Sequence, residues 1–183
     1  MTTNIYKNRR YIRKICIGAL CLAAAMVLPF LTGAIPQIGK LLCPMHIPVF
    51  LAGALGGPIV GGAVGFLAPL IRGLTLGTPI IFPTGISMSF ELLAYGISFG
   101  ILVRSLPRKY ALLYPALIIS MIVGRLVGGA GKVVLYTAGF IEDFGFSIFL
   151  TGYFVQTLPA VIVQLILIPP VVYALDKLKI MGN

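Results

Sequence analysis

Five ionisable side chains lie inside long apolar stretches of the sequence, where a charge is costly. An ionised group at the centre of a membrane-spanning helix costs about 2.5–3.5 kcal/mol on insertion scales, and such groups mark functional sites by default. The five are His46, Arg72, Glu91, Arg125 and Lys132. Three cations against one carboxylate give a formal charge of about +2 at ordinary pKa values. A desolvated cationic site favours an anionic ligand, because a guanidinium group can hold a carboxylate by two parallel hydrogen bonds.

Polar residues follow helical spacing in three of the apolar stretches, and they extend the candidate site. The first stripe contains Thr84, Ser87, Glu91, Tyr95 and Ser98. The second contains Arg125, Gly128, Gly129 and Lys132, and the third contains Tyr153, Gln156, Thr157, Ala160 and Gln164. A polar stripe is unstable against lipid, so we expect the stripes to face each other or water. The candidate binding residues are Arg72, Glu91, Tyr95, Arg125, Lys132, Gln156 and His46.

Each candidate also has a structural interpretation, which the sequence leaves open. Glu91 could neutralise an arginine as a structural ion pair, as membrane proteins commonly arrange. Lys132 could extend to the outer interface, and His46 could be a packed residue rather than a ligand contact. Gln156 could join two helices by hydrogen bonds.

The sequence lacks the residue patterns of an enzyme, of a metal site or of an energy source. Gly131 and Lys132 precede Val133 without the glycine spacing of a phosphate-binding loop. One histidine and three isolated cysteines suggest no catalytic arrangement, disulfide motif or metal-ligand cluster. Acidic residues are too few for a proton relay of carboxylates. We therefore predict a binding protein that is not an enzyme and needs no cofactor.

The elements that position these residues must be membrane-spanning helices. The chain has 183 residues, of which 59% are hydrophobic and 10% are charged, and its mean hydropathy is +1.07. These values exclude an ordinary soluble domain and a disordered chain. We predict an all-α integral membrane protein with one domain of six transmembrane helices. The predicted spans are residues 15–31, 41–56, 59–76, 84–103, 111–137 and 146–175. The second is short and carries two prolines, which suggests a broken or partly re-entrant segment.

Basic residues predict the orientation of these helices. Residues 1–14, residues 104–109 and the C-terminal tail together hold ten Lys and Arg, whereas the opposite loops hold Lys40 beside Glu142 and Asp143. This asymmetry predicts that both termini are cytoplasmic. The apolar run after residue 14 has no clear cleavage site, so we expect a retained first span. The net charge of +10 follows from these segment ends and does not predict nucleic-acid binding.

Small residues at four-residue spacing mark possible helix contacts. Ala19 and Ala23 share a face of the first predicted span, and glycine pairs recur in later spans. Such spacing allows close approach of helix backbones.

The order of these motifs resembles the substrate-binding S components of energy-coupling factor (ECF) vitamin transporters. The resemblance covers most of the chain and rests on motifs that follow one another in order. They are Ala19-x-x-x-Ala23, Met45-His46-Ile47-Pro48-Val49, Gly56-Gly57-Pro58-x-x-Gly61, Pro69-x-x-Arg72, Phe82-Pro83, Phe90-Glu91-x-x-x-Tyr95-Gly96, Gly124-Arg125 and Gln164-Leu165-Ile166-Leu167-Ile168-Pro169. The resemblance implies six membrane helices in a prokaryotic cytoplasmic membrane and one vitamin site near the outer face. It also implies a membrane coupling subunit that meets Ala19 and Ala23, and two ATPase subunits that drive transport.

The resemblance does not identify the vitamin, because members of the family differ in their substrates. The predicted cationic cavity favours a vitamin or precursor with a carboxylate or phosphate, with pantothenate first and folate, nicotinate and a pyridoxine-type compound after it. A neutral ligand remains possible if Glu91 pairs with an arginine. Two other functions stay open: a structural or assembly subunit without a ligand, and a self-sufficient secondary transporter.

Overall fold

The computed structural model describes residues 2–31, 43–107, 109–141, 145, 147 and 150–178. Within these ranges the chain forms six α-helices and no strand. They are α1 (Thr2–Leu31), α2 (His46–Gly56), α3 (Pro58–Leu76), α4 (Ile86–Ser105), α5 (Tyr110–Thr137) and α6 (Leu158–Lys177). Short π-helical turns, Ile81–Gly85 and Thr151–Val155, precede α4 and α6. The predicted all-α fold with six helices is confirmed, and the cytoplasmic location of the termini stays a prediction.

Five of the described helices are long and apolar enough to cross a membrane. These segments are Asn8–Phe30, Pro58–Leu76, Ile81–Ser105, Tyr110–Thr137 and Leu158–Lys177. The α2 helix has 11 residues and rises about 16 Å, roughly half of a bilayer core of about 30 Å. It begins only at His46, after a turn at residues 43–45, and the first two residues of the predicted second span lie outside the described residues. The multi-pass membrane character predicted from hydropathy is therefore confirmed.

Backbone requirements explain where the helices meet and end. Gly57 ends α2 and precedes Pro58 at the start of α3, and its φ of +99° is accessible to glycine at low cost. The α3 helix ends at Leu76 and is capped by Gly77, whose left-handed backbone lets its N–H donate to the Gly73 carbonyl oxygen with the nitrogen 3.0 Å from the oxygen. Proline at the first position of α3 costs no hydrogen bond, because that N–H has no partner within a helix.

The α4 helix lies at the centre of the bundle. It packs against α3, α5 and α2, whereas α6 contacts α2 and α5 less extensively. Glycines allow this close packing: a Cβ on Gly61 would lie 2.5 Å from Gly53 Cα and 2.6 Å from the Gly96 carbonyl oxygen. The three backbones therefore approach one another at a point where no side chain intervenes, as the glycine spacing predicted.

Basic side chains lie at one end of the bundle, and two phenylalanine rings meet at the opposite end. The guanidinium group of Arg104, at the end of α4, lies against Gly57 and acts electrostatically on Arg10 of α1. The rings of Tyr110 and Tyr173 lie 5.2 Å apart and join the start of α5 to the end of α6. Basic segments that are distant in the sequence thus share one end. At the opposite end, the rings of Phe82 and Phe140 lie 4.8 Å apart.

Candidate functional site

The candidate site is built around a carboxylate and a tyrosine on one face of α4. Glu91 and Tyr95 are four residues apart, so their side chains lie one turn apart on the same face. The Tyr95 hydroxyl donates a hydrogen bond to Glu91 Oε1 at 2.7 Å. Tyr95 is 2% exposed and belongs to the hydrophobic core. Within the predicted polar stripe, Ser87 and Tyr95 are therefore buried in the bundle and Glu91 is half-buried, whereas Thr84 is exposed in the turn before α4.

Two glycines of α5 make room for these side chains. A Cβ on Gly124 would overlap the Tyr95 ring, and a Cβ on Gly128 would lie 3.0 Å from Glu91 Oε2. Ser87, one turn before Glu91, places its Oγ 3.3 Å from the Gly128 carbonyl oxygen, to which it donates a hydrogen bond. The carboxylate is thus held against the backbone of α5.

Arg125 lies in the same cluster and reaches the start of α6. Its Nη2 donates a hydrogen bond to Thr157 Oγ1 at 2.8 Å. The guanidinium group also acts electrostatically on Glu91, Tyr95 and His46. Three helices and the turn before α6 therefore converge on this cation.

Lys132 completes a pattern of two cations about one carboxylate. Gly128, which contacts Glu91, lies between Arg125 and Lys132 in α5. Both cations interact electrostatically with Glu91. Since Arg125 and Lys132 are seven residues apart, they are separated by about 10 Å along the helix. The carboxylate therefore lies within the electrostatic reach of both cations.

His46, the first residue of α2, packs against Tyr95 of the cluster. Its ring centroid lies 5.3 Å from that of Tyr95, and Phe50 lies against the same tyrosine at 5.2 Å. The side chain is 8% exposed, and its buried Nδ1 has no hydrogen-bond partner among the residues that the structure describes. An unsatisfied buried nitrogen costs about 1–3 kcal/mol, which makes this atom a candidate for a ligand contact.

Arg72 contacts α1, and its part in a substrate site stays a prediction. Its Nη1 donates a hydrogen bond to the Met26 carbonyl oxygen of α1 at 3.0 Å, and its guanidinium carbon lies 5.4 Å from the Phe30 ring centroid. Pro29 lacks an N–H and so removes the intrahelical donor of the Ala25 carbonyl oxygen, while Arg72 donates to the next carbonyl along α1, that of Met26. The structure thus connects Arg72 to α1.

The remaining predicted residues lie at the surface of the chain. Gln156 is exposed in the turn before α6, next to Thr157, which accepts the hydrogen bond from Arg125. Ala19 and Ala23 are exposed on α1, whereas Cys21 and Ala25 face the bundle. The predicted site residues that the structure brings together are His46, Glu91, Tyr95, Arg125 and Lys132.

Three residues near the cluster were not predicted as site residues. Thr157 lay in the predicted α6 stripe, and its contact with Arg125 depends on how α6 folds back. Phe50 is a core residue with no polar signal in the sequence. Cys43 interacts electrostatically with Glu91 and Arg125 and has an unusual φ of +43°. An isolated cysteine in a proline-containing segment gives no sequence signal for this position.

The cluster combines charged, polar and apolar side chains. In the part of the chain that the structure describes, no group of three His, Cys, Asp or Glu side chains is placed to hold a metal. Two cations, a carboxylate and a histidine instead offer donors and acceptors beside apolar side chains, as small-molecule sites do.

Comparison with protein families agrees with this geometry. The family model described as "ECF transporter, substrate-specific component" matches residues 13–172. A search of curated proteins and a search of solved structures gave no match. The matched region includes every residue of the cluster and both alanines of α1. The chain therefore belongs to the family of ECF transporter substrate-specific components, as the resemblance of its motifs predicted.

Proposed function

We propose that the chain captures a water-soluble vitamin or vitamin precursor with an anionic group and delivers it for uptake. Pantothenate, which carries one carboxylate, is the first candidate. Folate, nicotinate and a pyridoxine-type compound follow. The family membership supports a substrate-specific uptake component, and the charge of the cluster supports an anionic substrate.

The observation that carries the proposal is the placement of Arg125 and Lys132 about Glu91. Both cations interact with this carboxylate, so the cluster holds two cations beside one acidic side chain among the residues that the structure describes. An anionic group of the substrate would be attracted to these cations and would exchange with the Thr157 hydroxyl at Arg125. A charge-assisted hydrogen bond to a carboxylate is stronger than one to a neutral hydroxyl, which favours this exchange.

The proposed transport cycle needs partner subunits. The family implies a membrane-embedded complex with coupling and ATPase subunits. We propose that α1 meets the coupling subunit through Ala19 and Ala23, which are exposed on the side of α1 that faces away from the bundle. The partner ATPases would supply the energy for uptake into the cell.

The test compares the purified chain with the assembled complex in proteoliposomes. We expect mass spectrometry to identify an anionic small molecule that co-purifies with the chain. We also expect uptake of that molecule only when the coupling and ATPase subunits and ATP are present. Uptake by the chain alone under an ion gradient would instead indicate a secondary transporter. The absence of any bound small molecule, with an intact complex, would indicate an assembly subunit and contradict the proposal.

A further inference from the structure

The two carboxylate oxygens of Glu91 have different surroundings. Oε1 accepts the hydrogen bond from the Tyr95 hydroxyl at 2.7 Å. Oε2 lies on the side of Gly128 in α5, where a Cβ would be only 3.0 Å away. Glu91 is half-buried, whereas Tyr95 is 2% exposed, so the carboxylate is less enclosed than the tyrosine that holds it. An ionised carboxylate accepts hydrogen bonds at both oxygens, and Oε2 therefore has acceptor capacity to offer.

The polar side chains around Glu91 direct their hydrogen bonds elsewhere. Ser87 donates its hydroxyl hydrogen to the Gly128 carbonyl oxygen. Arg125 donates from Nη2 to Thr157, and it acts on Glu91 electrostatically, as Lys132 does. Among the residues that the structure describes, Tyr95 is thus the hydrogen-bond donor to this carboxylate, and it donates to Oε1. A bound molecule can supply a donor for Oε2.

The negative charge of Glu91 sets a condition on an anionic substrate. An anionic group at Arg125 lies in the same cluster as the Glu91 carboxylate, and two negative groups repel each other. A hydroxyl or N–H group on the same substrate that donates to Oε2 forms a charge-assisted hydrogen bond, which offsets this repulsion. A substrate without a donor experiences the repulsion alone. Sites that hydrogen-bond an O–H or N–H of the substrate strongly reject analogues that lack it.

We propose that Glu91 is a specificity-determining residue and that the substrate carries a hydroxyl or N–H group beside its anionic group. This inference rests on the proposed function and narrows its candidates. Pantothenate, folate and pyridoxal phosphate, a pyridoxine-type compound, all carry a hydroxyl or N–H donor. Nicotinate at neutral pH has a carboxylate and an unprotonated ring nitrogen, and it offers no donor to Oε2.

The test measures the affinity of these four probes for the detergent-purified full chain by isothermal titration calorimetry. The variant is Glu91→Gln, whose side-chain oxygen can still accept from Tyr95, while an NH₂ donor replaces the second acceptor oxygen. We expect the original chain to bind at least one of pantothenate, folate and pyridoxal phosphate, and about tenfold more tightly than nicotinate. Glu91→Gln should weaken binding of that donor-bearing probe by about tenfold or more. It should bind nicotinate no more weakly than the original chain does, because a repelling charge is gone.

Asp176→Asn is the matched control, because it removes a carboxylate outside the cluster. Asp176 lies nineteen residues after Thr157, about 28 Å along α6. Its affinities should equal those of the original chain. Thermal unfolding by circular dichroism checks that Glu91→Gln folds, and if it does not, the ranking of the probes in the original chain decides. Nicotinate that binds as tightly as the other probes, binding of none of the four, or equal affinity of a folded Glu91→Gln for the donor-bearing probe would overturn the proposal.

Arg125→Gln separates this inference from the proposed function. If Arg125→Gln loses affinity for a probe that Glu91→Gln binds normally, the anionic substrate stands and the role of Glu91 is wrong. If Glu91→Gln loses affinity for a probe that Arg125→Gln binds normally, Glu91 selects a donor, and the anionic contact at Arg125 is wrong. Loss in both variants supports both.

Discussion

At the residue scale, the candidate site depends on how the Glu91 carboxylate interacts with Tyr95, Arg125 and Lys132. Glu91 accepts a hydrogen bond from Tyr95 through Oε1, while its Oε2 faces Gly128 between two cations. The sequence left open a structural role of Glu91 and a ligand site beside it, and the two are compatible because the carboxylate interacts with Arg125 and Lys132 at once. Arg125 then has a partner, Thr157, whose hydroxyl is a weaker acceptor than an anion.

The first prediction at this scale concerns Arg125. Arg125→Gln removes the charge beside the cluster and should weaken binding of the co-purified anionic molecule by about 1.5–3 kcal/mol, roughly tenfold to more than a hundredfold. Isothermal titration calorimetry of the purified chain measures this change.

Arg72→Gln provides the matched control for that measurement, because it removes an arginine that contacts α1. Its affinity should stay within about twofold of the original value, while its thermal stability falls, because the Met26 carbonyl oxygen loses a charged donor. An Arg125→Gln variant that binds as well as the original chain would contradict the assignment of Arg125 to the site.

At the element scale, α1 is the helix least covered by the rest of the chain. Only 6% of its most apolar window is buried, and Leu20 and Val27 are 73% and 59% exposed. Ala19 and Ala23 are exposed between these bulky side chains and are themselves small. Lipid can cover such a face, but a partner helix gains close backbone contact there.

The second prediction tests this face of α1. Ala19→Trp or Ala23→Trp should reduce assembly with the coupling subunit, because a bulky side chain prevents close approach of two helices. Ligand affinity should remain nearly unchanged, since the cluster lies on other helices. Co-purification with the tagged coupling subunit measures assembly. Ile119→Trp, on the exposed side of α5 and away from this surface, should assemble normally. Normal assembly of both alanine variants would exclude this surface.

The α2 helix shows how a short element can serve the site. The helix ends next to Gly57, which lies against the guanidinium group of Arg104. The ring of His46, its first residue, lies against the ring of Tyr95. It therefore runs from one end of the bundle to about the middle of α4, where buried Met45 and His46 begin the helix. A helix start at this depth is tolerated because protein covers it.

At the scale of the whole molecule, the chain is polarised along its axis. One end carries Arg10, Arg104, Lys109 and Lys177, and the other half carries the Glu91 cluster. This polarity agrees with the orientation that the basic residues predict, with the basic end in the cytoplasm.

The third prediction tests that orientation by cysteine labelling of intact cells. In a background without the three native cysteines, an impermeant thiol reagent should label Ile80→Cys, which lies in the exposed connection between α3 and α4. It should not label Lys109→Cys or Leu178→Cys, which are exposed at the basic end. After permeabilisation all three should react, which confirms that each cysteine is accessible. Labelling of Lys109→Cys in intact cells would reverse the predicted topology.

The sequence by itself determined the class of the molecule and predicted the residues of its candidate site. Hydropathy predicts membrane helices because lipid demands apolar side chains and satisfied backbone groups over a known length. The cost of a charge in lipid identified Glu91, Arg125 and Lys132, and helical spacing placed Tyr95 on the same face as Glu91.

Only the tertiary structure decided which of these residues meet. Arg72 and Arg125 are equivalent in a hydropathy pattern, yet one contacts Met26 and the other contacts Thr157. The packing of the helices decides which neighbour each helix face contacts. This packing depends on close contacts between glycines that are distant in the chain, such as Gly53, Gly61 and Gly96. The spacing of residues along one helix shows which residues share a face, but it does not show which other helix that face contacts.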